Sequence, residues 1–188
     1  LKAQNRLEDY HELSPDEDAH YDEVYEINLD ELKPLIACPH SPDAVRTVEE
    51  VGTIKVDQVA IGSCTNGSYQ DLMKVATILK GKTVHPDVSL VISPGSKQVL
   101  TMLAKNGALA DILASGARLL ESGCGPCIGM GQSPATNAIS LRTFNRNFYG
   151  RCGTLSANVY LCSPETAAYS ALAGVLINPM NEKLGISQ

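Results

Sequence analysis

The hydrophobic positions divide the chain into a polar beginning and a longer remainder in which apolar runs alternate with amphipathic segments. Five apolar runs have the length of buried strands: 56–62, 87–95, 117–124, 141–148 and 157–164. Apolar residues recur at helical spacing in three other segments: 68–81, 96–116 and 164–179. Strands that alternate with helices predict an α/β fold with a largely parallel sheet.

Glycine, serine and proline punctuate the predicted helices. Gly81 stands where the first helix should stop, and a glycine divides the second segment into two helices. Ser163 is a suitable N-cap for the last helix, with Pro164 in its first position. These residues place the helix ends before any packing is considered.

Residues 1–52 have a different character. They are polar, contain prolines at four positions, and include one short alternating piece, 21–29, that we predict as a strand. The remainder of this segment is interpreted as loops and short helices. We expect 1–52 to be a lead-in from a preceding domain, and 53–188 to form the α/β domain.

Composition and charge narrow the function classes. The 188 residues carry 15 basic and 21 acidic side chains, for a net charge of −6, which argues against nonspecific nucleic-acid binding. No apolar run approaches the roughly 18–20 residues of a membrane helix, and no signal-peptide pattern is present. We therefore expect a cytoplasmic protein without a membrane partner, whose six cysteines are ligands or catalytic thiols more than disulfides.

Several predicted strands end in loops rich in Gly, Ser and Cys. One contains Cys64, and another, SGCGPCIGMG (122–131), contains Cys124 and Cys127. Because ligands bind at the carboxyl ends of parallel strands, we expect these cysteines at one edge of the sheet.

The Cys-Gly-Pro-Cys stretch allows three kinds of chemistry. A dithiol oxidoreductase would use such a pair, but no Trp precedes it and it comes late in the chain. A closed zinc site needs four ligands, and no second paired motif completes the set. An iron–sulfur cubane can be held by three thiolates, which leaves one iron open to act as a Lewis acid. Cys38, Cys152 and Cys162 lack paired spacing and are interpreted as structural.

Three of the few arginines, Arg142, Arg146 and Arg151, fall within ten residues. Guanidinium groups bind carboxylates in a bidentate manner, so Arg146 and Arg151 are candidates for a carboxylate clamp. Solvated charges at a strand end are the alternative. Beside an open iron, such a clamp fits a di- or tricarboxylic hydroxy acid.

Three motifs carry a family resemblance: IGSCTNGSYQDL (61–72), SGCGPCIGMG (122–131) and FNRNFYGR (144–151). In this order and spacing they resemble the aconitase family of iron–sulfur hydro-lyases, which includes aconitate hydratase, homoaconitase and the large subunit of 3-isopropylmalate dehydratase. The resemblance extends to YDEVYEINLDELKP (21–34). It implies a three-layer α/β/α fold like the third, cluster-binding domain of these enzymes.

The resemblance also implies roles for particular residues. Cys64, Cys124 and Cys127 would hold a [4Fe-4S] cluster whose free iron binds the substrate hydroxyl and a carboxylate. Asn145 would lie beside the cluster as a catalytic residue, and Arg146 and Arg151 would bind substrate carboxylates. The reaction would remove water from a hydroxy acid and add it back with opposite regiochemistry.

Within the family, Ser68 after SCTNG resembles aconitate hydratases of a short bacterial type, so we expect citrate and isocitrate as substrates. A 3-isopropylmalate dehydratase or homoaconitase large subunit is the alternative. Family members are far longer, so we expect this chain to depend on the remaining domains of the same enzyme and to be inactive alone. RNA binding by a cluster-free form, or a dithiol or zinc module, are alternatives of other classes.

Overall fold

The computed structural model describes residues 1–2 and 6–182, which form two units that divide after Leu32. All described residues of the first unit are exposed, and short 3₁₀ turns form at Leu7–Asp9 and Leu29–Glu31. The strand predicted over 21–29 is wrong. A strand needs a hydrogen-bonded neighbour, and no described residue pairs with this segment.

The second unit is built on a seven-stranded mixed sheet of order β2-β1-β7-β6-β3-β4-β5. The strands are β1 (Leu35–Ala37), β2 (Val45–Thr47), β3 (Gln58–Gly62), β4 (Ser89–Ser93), β5 (Arg118–Leu119), β6 (Ile139–Arg142) and β7 (Asn158–Leu161). Pairing is parallel from β7 across to β5 and antiparallel at β1. The predicted α/β fold with a largely parallel sheet is confirmed.

Helices follow most of the strands. They are α1 (Val48–Val51), α2 (Ser63–Asn66), α3 (Tyr69–Leu79), α4 (Lys97–Asn106), α5 (Ala108–Ala114) and α6 (Pro164–Ala173). The predicted ends are confirmed at Gly107, which separates α4 from α5 with φ +87°, and at Ser163, whose hydroxyl accepts a hydrogen bond from the Thr166 N–H. The last helix is shorter than predicted because Gly174 ends it in a left-handed conformation.

Two strands near the start of the sheet were not predicted. The strands β1 and β2 lie within 35–47, where loops and short helices were expected, and the short helix α1 follows them. The strands are three residues long, and β1 pairs with β7 at one register position, Ala37 with Leu161. Segments this short have too few positions for an alternation pattern. A domain boundary after residue 52 stays a prediction.

Successive strand residues face opposite sides of the sheet, and each side has its own core. Val59 and Ile61 of β3 pack with α3, α5 and α6 in the main core. Between them, Ala60 faces a smaller core that contains Cys127 and Phe144. The second face is therefore covered by the loops that carry the candidate site.

In the described part of the chain, no helix is both long and apolar enough for a membrane span.

Candidate functional site

The loops that carry the predicted site residues leave the same edge of the sheet. In β3, Gly62 is level with Ser93 of β4, and Ala60 is level with Arg142 of β6, with all three strands parallel. The strand β5 ends beside them, where the Leu120 N–H donates to the Ile92 carbonyl. This parallel register confirms the prediction that these segments begin at the same edge of the sheet, where the carboxyl ends of the strands lie.

Cys64 lies in the short helix α2, directly after β3, and is exposed. The turn into this helix requires Gly62, which has φ +116° and no room for a side chain, since a Cβ would lie 2.0 Å from the Ser93 carbonyl oxygen. Ser63 also has positive φ, +61°, although it is not glycine. The chain therefore turns sharply at Gly62 and Ser63, where β3 packs closely against β4, and Cys64 follows at the carboxyl edge of the sheet.

Cys124 and Cys127 lie in a tight turn after β5. The Cys127 N–H donates to the Cys124 carbonyl at 3.1 Å, and the Met130 N–H donates to the Gly125 carbonyl at 2.8 Å. Cys124 is exposed, whereas Cys127 is buried on the second face of the sheet. The glycine that ends the turn, Gly129, packs its backbone against the Cys152 carbonyl.

The pKa of the Cys127 thiol depends on its burial and on the other two predicted ligands. Burial raises the pKa of the Cys127 thiol, and the nearby Cys124 and Cys64 thiols raise it further. The Ser63 hydroxyl and the Arg151 guanidinium lower the same pKa. Cys64 and Cys124 are therefore both close enough to act on Cys127, and so is Arg151, one of the predicted arginines.

A buried hydroxyl without a partner lies beside Cys127. The Ser63 hydroxyl acts on the pKa of Cys127 but has no hydrogen-bond partner among the described residues, so it is available to a group bound there. Within 1–2 and 6–182, no three His, Cys, Asp or Glu side chains converge as ligands of a single metal ion. The thiolates of a cubane bind different irons and need not converge on one point.

The arginine motif begins where β6 ends, and its segment is loop, not the strand predicted over 141–148. Asn145 and Arg146 are exposed, and their side chains form no hydrogen bond or ion pair with any other residue that the structure describes. Arg151 is half-buried and lies over the Phe148 ring, 5.6 Å from its centre. The two predicted carboxylate ligands are thus available to a substrate.

Asn147 anchors this loop to the sheet. Its side-chain nitrogen donates to the Cys38 carbonyl at 2.9 Å and to the Val159 carbonyl at 3.1 Å. The residue is buried and its side-chain oxygen has no partner among the described residues. Asn147 therefore holds the loop while its neighbours Asn145 and Arg146 face outward.

Sequence reasoning missed the role of Arg142. The sequence groups Arg142 with Arg146 and Arg151, whereas the structure buries it completely on the second face of the sheet, beneath the Cys-Gly-Pro-Cys turn. The signal was present in the segment ISLRTF (139–144), where one arginine interrupts an otherwise uncharged run.

The cysteines interpreted as structural have different surroundings. Cys162 packs against the main core, and burial raises its pKa to about 12. Cys152 is buried beside the site, with its sulfur 3.7 Å from the Cys127 carbonyl oxygen. Burial raises the pKa of Cys152 as well, while Arg142 and Arg151 lower it.

The sequence of this chain matches one family model and several proteins of the same name. The family model described as "Aconitase family (aconitate hydratase)" matches residues 44–174. A 3-isopropylmalate dehydratase large subunit of Thermoanaerobacter sp. (strain X514) is 47% identical over 173 residues. Proteins of the same name from Caldanaerobacter subterraneus subsp. tengcongensis and Clostridioides difficile (strain 630) are 46% identical over 173 residues and 45% identical over 181 residues.

These matches cover most of this chain but a smaller part of each relative. For the first two relatives, 91% of this chain aligns with 41% of the relative, and for the third, 95% aligns with 42%. The chain therefore spans about two fifths of the length of these relatives.

Proposed function

This chain belongs to the aconitase family, and from that premise we propose that it is the cluster-binding part of an iron–sulfur hydro-lyase. The observation that carries the proposal is that Cys64, in α2 after β3, and Cys124 and Cys127, in the turn after β5, follow strands that end at the same edge of the sheet. Burial raises the pKa of Cys127, and Cys64 and Cys124 are close enough to raise it further. The arginine loop leaves the same edge. Thiolates beside a carboxylate clamp are what a hydro-lyase of this kind requires.

In this proposal Cys64, Cys124 and Cys127 are the three protein ligands of a [4Fe-4S] cluster. When bound, the cluster supplies an iron with an open coordination position that acts as a Lewis acid on the substrate hydroxyl. The donor set suits this group, because thiolates are the preferred ligands of iron–sulfur clusters.

The substrate would be held by the arginine loop. Arg146 and Arg151 bind its carboxylates through paired N–H donors, and the packing of Arg151 on Phe148 limits the orientations of that guanidinium. Asn145 donates or accepts a hydrogen bond near the cluster. We assign the base that removes the substrate proton to none of these residues.

For the substrate itself, the relatives favour the alternative over the first expectation. Ser68 suggested aconitate hydratase, but the similar proteins above are named 3-isopropylmalate dehydratase large subunits. We therefore propose a dehydratase of 2- and 3-isopropylmalate, dicarboxylic hydroxy acids, acting with the rest of the enzyme. One residue after a shared motif is a weaker guide to substrate than 47% identity in an alignment that covers 91% of the chain.

The test uses the native protein that contains this chain, purified anaerobically with any partner subunit. We expect formation of the unsaturated dicarboxylate from isopropylmalate and none from citrate. Arg151→Lys should reduce kcat/KM by about 10- to 100-fold, since one bidentate pair is lost. Arg46→Lys is the matched control, because Arg46 lies on β2 at the far edge of the sheet.

The outcomes are distinct. Turnover of citrate alone would restore aconitate hydratase as the function. A cluster-loaded enzyme that converts neither substrate would contradict the proposed hydro-lyase. Equal loss of activity in Arg46→Lys and Arg151→Lys would contradict the proposal that Arg151 binds a substrate carboxylate.

A further inference from the structure

Arg142 is a buried cation without a described carboxylate partner. It lies at the end of β6 with 0% exposure, level with Ala60 of β3, on the face of the sheet that the cysteine turn covers. Within residues 1–2 and 6–182, no Asp or Glu forms an ion pair with it. The Phe144 ring lies 5.5 Å from the guanidinium carbon.

All hydrogen-bond acceptors of Arg142 are neutral. Its guanidinium donates to the Pro126 carbonyl, to the Gln132 carbonyl at 2.7 Å and to the Gln58 side-chain oxygen at 2.8 Å. Its Nε donates to the Ser140 hydroxyl at 3.1 Å. Two of these acceptors, Pro126 and Gln132, lie at the two ends of the segment that follows Cys124, so one side chain ties that segment to the sheet.

These neutral acceptors satisfy the N–H donors of Arg142, but they do not balance its positive charge. Removing a guanidinium charge from water is costly unless an anion is close. Burial lowers the pKa of Arg142, and the groups that raise it again are the Cys152 and Cys127 thiols. In the described part of the chain, the groups that act on this cation electrostatically are therefore cysteines, and one of them, Cys127, is a proposed cluster ligand.

We propose that Arg142 is a positioning residue for the cluster, a fixed positive charge beneath the Cys-Gly-Pro-Cys turn that offsets the negative charge of the cluster and its thiolates. The inference rests on the proposed function, because it requires a cluster at Cys64, Cys124 and Cys127. The guanidinium would hold the turn through the Pro126 and Gln132 carbonyls and favour the more anionic state of the bound group.

The electrostatic consequence can be measured. An added electron makes the cluster more negative, and a nearby buried cation stabilises that state, so Arg142 should raise the reduction potential. Loss of the charge should lower the potential and weaken retention of iron. Neither effect is expected from a residue that only fills space.

Three variants of the native protein separate charge from packing. Arg142→Gln removes the charge, whereas Arg142→Lys keeps it and loses the forked donors. Gln58→Glu leaves Arg142 in place but gives it a carboxylate where the Gln58 oxygen now accepts at 2.8 Å. Arg118→Gln is the control, because Arg118 also donates to this segment, to the Gly131 carbonyl at 2.6 Å, but is exposed.

The readouts are the midpoint potential of the cluster, by anaerobic titration with a chemical reductant, and the rate of iron loss to a chelator. We expect lower potentials in Arg142→Gln and Gln58→Glu, and iron loss about tenfold faster in Arg142→Gln, as expected for loss of a charge-assisted hydrogen bond. Arg142→Lys and Arg118→Gln should stay near the unmodified protein in potential.

If Arg142→Gln does not fold, Gln58→Glu still tests the role of Arg142. We expect this variant to fold, because its new carboxylate pairs with the Arg142 guanidinium. An unchanged potential in Gln58→Glu, with a cluster bound, would overturn the role of Arg142 and leave the proposed function intact. Failure of the unmodified protein to bind any cluster would overturn the proposed function, and this inference with it.

Discussion

The hydroxyl of Thr143 accepts a hydrogen bond of 2.9 Å from the main-chain N–H of Gly62. Both residues are buried. Gly62 lies two residues before Cys64, and Thr143 lies two residues before Asn145. A single buried contact thus joins the loop that carries one proposed cluster ligand to the loop that carries the proposed substrate ligands.

Replacing this hydroxyl should weaken the junction. Thr143→Val keeps the shape of the side chain but leaves the buried Gly62 N–H without an acceptor, which should lower the free energy of unfolding by about 1–3 kcal/mol. Urea denaturation of the purified protein measures this. Thr77→Val is the control, since the exposed Thr77 hydroxyl donates only to the Met73 carbonyl of its own helix. Equal effects in the two variants would show that the Gly62 contact is not special.

The approach of β3 to β4 gives a second prediction. Gly62→Ala would place a methyl group 2.0 Å from the Ser93 carbonyl oxygen, so the two strands would have to separate. We expect a loss of more than about 4 kcal/mol, or no folded protein. Gly81→Ala is the control: Gly81 also has a positive φ, +67°, but open space around it, so this substitution should cost about 1 kcal/mol. Similar thermal stabilities for the two variants would contradict this packing.

Cys162 is partly exposed as a residue but packs against the main core, and its thiol should make stability depend on alkaline pH. Its folded pKa is raised to about 12 by burial, whereas an unfolded thiol has a pKa of about 8.5. Above pH ~8.5 the unfolded chain therefore loses a proton that the folded protein keeps, and stability falls until the pH reaches the folded value. The limiting slope is about 1.4 kcal/mol per pH unit.

Cys162→Ala removes this contribution. In denaturation curves under reducing, anaerobic conditions at several pH values from about 8 to 11, the stability difference between the unmodified protein and Cys162→Ala should shrink as the pH rises. Comparing the two proteins cancels the other buried thiols, Cys127 and Cys152, whose pKa values are raised in the same direction. A difference that does not change with pH would contradict the burial of this thiol.

Local sequence signals predicted the regular part of the fold. Apolar runs and helix caps are encoded by adjacent residues, and for this reason β3, β4, α3 and the break at Gly107 follow from the pattern. The short strands β1 and β2 are held by long-range pairing, as between Ala37 and Leu161, which no local pattern reports. The segment 21–29 shows the opposite case. Its polar and apolar residues alternate as in a strand, but no described strand pairs with it.

The placement of the candidate site was predictable, but the contacts that support it were not. The rule for strand ends predicts that Cys64, Cys124 and Cys127 lie at one edge of the sheet, and their role as ligands stays a prediction. Arg142 was grouped with the other arginines because a sequence does not show that one of them is fully buried. The need for glycine at position 62 comes from the Ser93 backbone on the neighbouring strand β4, a contact between residues that are distant in sequence.

The central claim is that three cysteines, and only those three, bind the cluster. The most direct measurement is the iron and acid-labile sulfide content of the anaerobically reconstituted native protein, compared with Cys64→Ser, Cys124→Ser, Cys127→Ser and the control Cys38→Ser. The account predicts about four irons and four sulfides per chain in the unmodified protein and in Cys38→Ser, and loss of cluster in the other three. Full iron and sulfide in Cys64→Ser would contradict it.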